Sequence, residues 1–136
     1  MNTDSPMLLA AATVEGTTGL AQDIRVGKHQ LTADEPVTNG GADSGPTPFQ
    51  LLVSALGACT AITLKMYAQR KGWDLGALSV KLKLFRDGEV ERVERVLFAS
   101  PDLTAEQRER LLQIAGKTPV TKTLLRSLRI DTEFAP

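Results

Sequence analysis

The sequence predicts an α+β protein with antiparallel sheets, and three observations carry that expectation. Short alternating segments cluster between Leu8 and Ala33, one long apolar helical segment spans Pro48 to Lys71, and a strictly alternating hairpin begins at "LSVKLKLF". Strands grouped around helices fit α+β architecture. The chain of 136 residues suits one domain, 1–136, with no internal repeat, linker or low-complexity segment. Residues Met1 to Pro6 read as a loose tail.

Taken in order, Leu8 to Ala33 predicts a meander of short strands. Gly16-Thr17-Thr18-Gly19 separates the first two, and Gly27-Lys28 separates "AQDIRV" from "HQLTA". Ile24 and Val26 alternate with polar neighbours, as His29, Leu31 and Ala33 do more weakly. Asp34 to Pro48, "DEPVTNGGADSGPTP", is dense in turn residues and predicts a long flexible loop. Loops of that length in compact domains are usually functional or mobile.

The helix that follows has its own punctuation. Thr47 is a good N-cap, Pro48 suits the first helical position, Gln50 completes a T-x-x-Q capping box, and Gly72 marks the stop. Its length is on the order of 35 Å. Apolar residues from Phe49 to Met66 cover nearly the whole circumference, which predicts burial on most sides. One chain of this size cannot surround such a helix, so a partner subunit is expected.

Leu78, Val80, Leu82 and Leu84 share one face of the next strand, and Asp87-Gly88 signals a two-residue hairpin loop. Val90, Val93, Val96 and Phe98 do not share one parity, which predicts a bulge in the returning strand. Thr104 and Gln107 form another T-x-x-Q box. They open a second helix with a buried stripe of Leu111, Leu112 and Ala115, ended by Gly116. Thr118-Pro119 opens a short third helix, and "RIDTEF" predicts a last strand with Ile130, Thr132 and Phe134 on one face. The expected order is β-β-β-α-β-β-α-α-β.

Composition narrows the functional classes. Lys+Arg is 16 and Asp+Glu is 16, so there is no basic excess of the kind a nucleic-acid binder shows. Zero net charge gives little colloidal repulsion, which favours self-association. A single cysteine excludes an intrachain disulfide and fits a reducing, cytoplasmic setting. No basic residue precedes the apolar N-terminal run, against a secretory signal. The most apolar stretch, Phe49 to Leu64, falls short of the ~20 residues of a membrane span and contains Gln50, Ser54, Thr60 and Thr63. A soluble protein acting without membrane or nucleic acid is expected.

Cys59, in "LGACTAI", has two readings from the residues alone. It is a small apolar core residue with an idle thiol, or a nucleophile that needs a cation or hydrogen-bond donors from elsewhere. It sits about three turns into its helix, where the macrodipole has faded. His29 is the only histidine and reads as a solvated surface residue. One Cys and one His leave no metal site in prospect. "GGADSG" lacks the setting of a phosphate loop. The charges of "VKLKLFRDGEVERVER" alternate in sign and read as a solvated hairpin face.

The run "HQLTADEPVTNGGADSGPTPFQLLVSALGACTAITLKMYAQRKGW", with "KTPVTKTLLRSLRIDTEF" near the C-terminal end, closely resembles the OsmC/Ohr family of thiol-dependent peroxidases. The resemblance covers roughly Leu20 to Phe134. It implies an OsmC-like fold: antiparallel sheets around a long buried central helix, in an intertwined homodimer. It implies no cofactor and a site at the dimer interface where a thiolate attacks an organic hydroperoxide, with an external thiol as reductant. Cys59 matches the attacking cysteine, and Phe49, Gln50, Thr118 and Thr121 match positions that line the site.

The chain departs from that pattern at several places. Thr118 stands where the family's second, resolving cysteine would be, and Thr121 where a histidine would be. Phe49 stands where an acid would orient an Arg of the N-terminal sheet, and "GTTGLAQ" holds no Arg. A one-Cys cycle at Cys59, resolved by an external thiol, is the leading expectation. Lys117, Lys122 or Arg126 are the expected substitutes for the missing cation. The rival expectation is a non-enzymatic member that holds a small hydrophobic ligand at the interface, with Cys59 as packing.

Overall fold

The computed structural model describes residues 5–136. They form two compact units, one ending at Leu51 and one running from Leu52 to Pro136. Most of the expected tail, residues 1–4, lies outside the described residues; Ser5 and Pro6 are exposed.

The first unit contains the expected meander. Strands β1 (Thr13–Gly16), β2 (Gln22–Val26) and β3 (His29–Ala33) pair antiparallel in the order β1-β2-β3. Val26 faces His29 across the closing pair, so Gly27-Lys28 is the two-residue loop the sequence predicts. The sheet starts later than expected, since Leu8 and Leu9 lie outside any strand and are exposed.

The loop after β3 is not the flexible segment its composition suggested. Asp34 is buried, and its carboxylate accepts bonds from the Glu35 N–H (2.8 Å), Ala42 N–H (3.2 Å), Ser44 N–H (3.1 Å) and Ser44 hydroxyl (2.6 Å). A single turn of 3-10 helix, Val37–Asn39, sits inside this ring. Turn residues gave the chain freedom to bend, and one acid then tied the bends together.

Helix α1 (Pro48–Lys71) has the predicted limits. The Thr47 N–H donates to Gln50 Oε1 at 2.9 Å, and the Gln50 N–H donates to Thr47 Oγ1 at 3.2 Å, which completes the capping box. At the other end Gly72 takes φ 69°, the Trp73 N–H reaches the Ala68 carbonyl, and the Gly72 N–H reaches that of Gln69. This is a Schellman motif, and its hydrophobic contact is present too: Trp73 meets Tyr67 edge-on with ring centroids 5.5 Å apart.

In the single chain α1 buries one stripe, Leu56, Gly57, Thr60, Leu64 and Ala68, while Ile62 and Met66 remain exposed. By length and composition the helix is apolar enough to cross a membrane, with a mean hydropathy of 1.5. Its apolar length runs past Leu64, beyond the stretch from Phe49 to Leu64 that fell short of a span.

In the second unit β4 (Ser79–Asp87) and β5 (Val90–Phe98) form an antiparallel pair. Two expectations fail here. The register runs unbroken from Ser79↔Phe98 to Asp87↔Val90, so there is no bulge. The two-residue loop is Gly88-Glu89, with Asp87 in the closing pair. Unbroken pairing sets Val80 opposite Leu97, Leu82 opposite Arg95 and Leu84 opposite Val93. Leu97 therefore faces inward, and Val96 and Phe98 are exposed. Leu82 lies so close to Gly57 that an added Cβ there would stand 2.7 Å from Leu82 Cδ1.

Helix α2 (Ala105–Ala115) carries the predicted Thr104/Gln107 capping box, and α3 (Pro119–Arg126) is capped by Thr118, whose side chain accepts from the Thr121 N–H. Leu64, Ala68, Leu75, Leu103, Leu111 and Ala115 form the core between α1 and α2. Each fully buried leucine contributes about 1.5–3 kcal/mol. The last expected strand is absent. Residues 127–136 form no helix or strand, with Ile130 80% and Phe134 98% exposed. A strand exists only beside another backbone, and none of the described residues pairs with this segment.

Candidate functional site

The stripe of α1 that packs inward carries one polar residue, Thr60, and Cys59 precedes it. Thr60 is fully buried, and Cys59 is half-buried with a free thiol. On β5 the inward parity of Val93 and Leu97 places Arg95 between them, and its guanidinium ends against the same stretch of α1. Arg95 Nη1 donates to Thr60 Oγ1 at 2.9 Å and to Thr121 Oγ1 at 3.0 Å, and Nη2 donates to the Ala115 carbonyl at 2.9 Å.

The acceptors are themselves organised. Thr60 donates its proton to the Leu56 carbonyl at 2.7 Å. Thr121 donates to the Ala115 carbonyl at 3.3 Å, which leaves Thr118 to supply the proton of the 2.7 Å bond between the two threonine hydroxyls. No buried side-chain nitrogen or oxygen among the described residues lacks a partner. Arg95 has three neutral partners and, among the described residues, no carboxylate in its ion pairs.

Burial pushes the Arg95 guanidinium below its ordinary value, and a negative charge on the neighbouring Cys59 would act against that shift. The side chain is thus a half-buried cation, held by hydroxyls and a carbonyl, within Coulombic reach of the one thiol.

Beside this cluster lies a cavity of about 750 Å³, within the usual ~300–1,000 Å³ of small-molecule sites. Leu56, Leu84, Val93, Leu97 and Leu124 supply apolar wall, and Arg95 and Thr121 supply polar lining. Cys59 is not part of the lining.

The expected site residues divide between the units. Thr118 and Thr121 meet in one buried network with Thr60 and Arg95, next along the helix from Cys59. Phe49 and Gln50 belong to the first unit. Phe49 is 54% exposed in the first turn of α1, and the Gln50 side chain serves the capping box. Lys117, Lys122 and Arg126, expected as stand-ins for the missing cation, are all exposed. Arg25 pairs with Asp23 at 3.0 Å.

The cation within Coulombic reach of Cys59 is instead Arg95, which the sign alternation of the hairpin hid as a surface charge. The signal that would have found it is parity. Arg95 stands between Val93 and Leu97 in their parity, opposite Leu82.

The family of OsmC-like proteins matches residues 40–133. No curated protein matches the chain. Among solved structures, a Psychrobacter arcticus protein assigned to the osmotic stress induced and detoxification response gives a TM-score of 0.74 at 17% identity, covering 89% of this chain and 90% of that one. The OsmC like protein from Mycoplasma pneumoniae gives 0.69 at 19% identity over 90% and 89% of the two chains. The organic hydroperoxide resistance protein OhrB of Bacillus subtilis gives 0.58 at 22% identity over 85% and 89%. At these identities the likeness establishes the fold, an α+β architecture with two antiparallel sheets and a long central helix. The family match spans more than half of the residues, and so the chain belongs to the OsmC-like protein family.

Proposed function

We propose that the protein reduces organic hydroperoxides in a one-Cys cycle at Cys59, as a soluble cytoplasmic homodimer. One observation carries this reading: the half-buried Arg95 guanidinium beside Cys59 has only neutral hydrogen-bond partners. Its uncompensated charge has an obvious use in stabilising a thiolate. The substrate class comes from the name of the Bacillus subtilis relative, an organic hydroperoxide resistance protein.

In the proposed cycle the Cys59 thiolate attacks the outer peroxide oxygen. An S–O bond forms, the O–O bond breaks, and the alkoxide leaves as an alcohol after taking a proton. Cys59 is then a sulfenic acid. Thr118 cannot form a disulfide, so an external dithiol condenses with the sulfenic acid, releasing water and leaving a mixed disulfide. Its second thiol closes the external disulfide and returns the Cys59 thiol. Hydroperoxide and dithiol become alcohol, water and disulfide.

The test is peroxide consumption with cumene hydroperoxide and a dithiol, for the wild type, Cys59→Ser and Arg95→Leu. Cys59→Ser is expected to lose the activity, and Arg95→Leu to lower it by at least tenfold while also slowing alkylation of Cys59 at neutral pH. Equal rates for wild type and Cys59→Ser would sink the enzymatic reading. A second reading has its own observation: the cavity includes Arg95 and Thr121 but not Cys59. In that reading the protein holds a small apolar ligand, and Cys59 is packing.

A further inference from the structure

The cavity is not uniformly apolar, and its polar part is unusual in one respect. Charged residues at its rim are matched: Glu91 pairs with Arg86 at 3.2 Å, and Arg92 pairs with Glu94 at 2.9 Å. Arg95, further in, has no such match. Its Nη1 is committed to two threonine hydroxyls and Nη2 to one carbonyl, while its Nε–H and one Nη2–H have no partner among the described residues. A charge held partly out of water without a counter-charge is costly to keep. A planar guanidinium with N–H groups to spare is suited to a carboxylate.

We propose that this cavity binds a free aliphatic carboxylate, with its head group on Arg95 and its chain along Leu84, Val93, Leu97 and Leu124. The wall removes a hydrocarbon chain from water, and the guanidinium supplies the counter-charge the ligand lacks. The head group, rather than the chain, sets specificity: an alcohol of the same length makes the same apolar contacts but offers Arg95 no charge. The inference rests on the cavity of the second reading above and holds whether or not Cys59 turns over peroxide.

Isothermal titration of the full chain with monomeric decanoate and with 1-decanol tests it. Wild type is expected to bind decanoate at least tenfold more tightly than decanol. Arg95→Leu is expected to erase that preference, and Arg95→Lys to keep part of it. Val93→Glu, which sets a negative charge in a half-exposed wall position, is expected to weaken decanoate more than decanol. Absence of decanoate binding, or a preference that survives Arg95→Leu, overturns the proposal. Should Arg95→Leu not fold, unchanged decanoate affinity in Val93→Glu overturns it equally. Cys59→Ser is expected to bind decanoate at least as well as wild type. Decanoate binding by a protein that consumes no peroxide rejects the peroxidase reading and leaves this one standing.

Discussion

Two charged side chains show what single residues do in this protein. Arg95 is a cation held by neutral groups, and removing it would leave Thr60, Thr121 and the Ala115 carbonyl short of a donor. Asp34 is its opposite, an anion held by four donors around one loop. Those donors, the Ser44 hydroxyl first, then the Glu35 N–H, hold its carboxyl at about 2 against an ordinary 3.8. The folded protein therefore binds this proton less readily than the unfolded chain does. The loop's electrostatic stabilisation is complete above about pH 4 and is lost as pH falls toward 2. The urea midpoints of wild type and Asp34→Asn are accordingly expected to differ by a constant amount at neutral pH. That gap should close in acid; one that persists at about pH 2 would show that charge does not hold the loop. Neither residue was legible from its neighbours in sequence. Asp34 lay among turn residues that explain a bend without naming what fastens it, and Arg95 lay in a run dense in charges of both signs.

Elements are held by caps and by close approach, and the two differ in how they announce themselves. All three helix N-termini were readable, because a Thr with Gln or Pro at fixed spacing is a local device whose partners lie within one turn. The packing of β4–β5 on α1 was not, because it depends on Gly57 and Leu82, which are 25 positions apart in the numbering. A methyl at Gly57 would meet Leu82 Cδ1. Overpacking costs about 1–3 kcal/mol, toward the low end here because the obstacle is the tip of a flexible side chain. Alanine returns about 0.8–1 kcal/mol of helix propensity. The two effects offset each other, so Gly57→Ala is expected to leave the stability of the wild type nearly unchanged. In a Leu82→Ala background, where the obstacle is gone, the same change is expected to stabilise by about 1 kcal/mol. Urea denaturation of the four proteins measures the coupling; an effect of the same size in both backgrounds would mean that Gly57 is not there for Leu82. The false bulge has the same origin. Treating Val90, Val93, Val96 and Phe98 as one face invoked a break in parity that the register from Ser79↔Phe98 to Asp87↔Val90 does not contain.

At the scale of the whole molecule the single chain leaves too much apolar surface in water. Ile62 and Met66 on α1 are exposed, as are Leu125, Leu128, Ile130 and Phe134 at the C-terminal end. Leu128, Ile130 and Phe134 share one parity, as a strand would require, yet the segment has no neighbouring backbone. The expected strand and the expected partner subunit are then one question, because a second copy would supply the missing edge. Sedimentation at micromolar concentration is expected to give about twice 14.6 kDa. The double variant Ile130→Glu/Phe134→Glu is expected to shift that mass to the monomer, since a carboxylate at each position would have to leave water for the strand to pair. Helical content by circular dichroism should survive, because α1, α2 and α3 cap themselves. A wild-type monomer, or a double variant as dimeric as the wild type, would show that the exposed C-terminal segment is not where two copies meet.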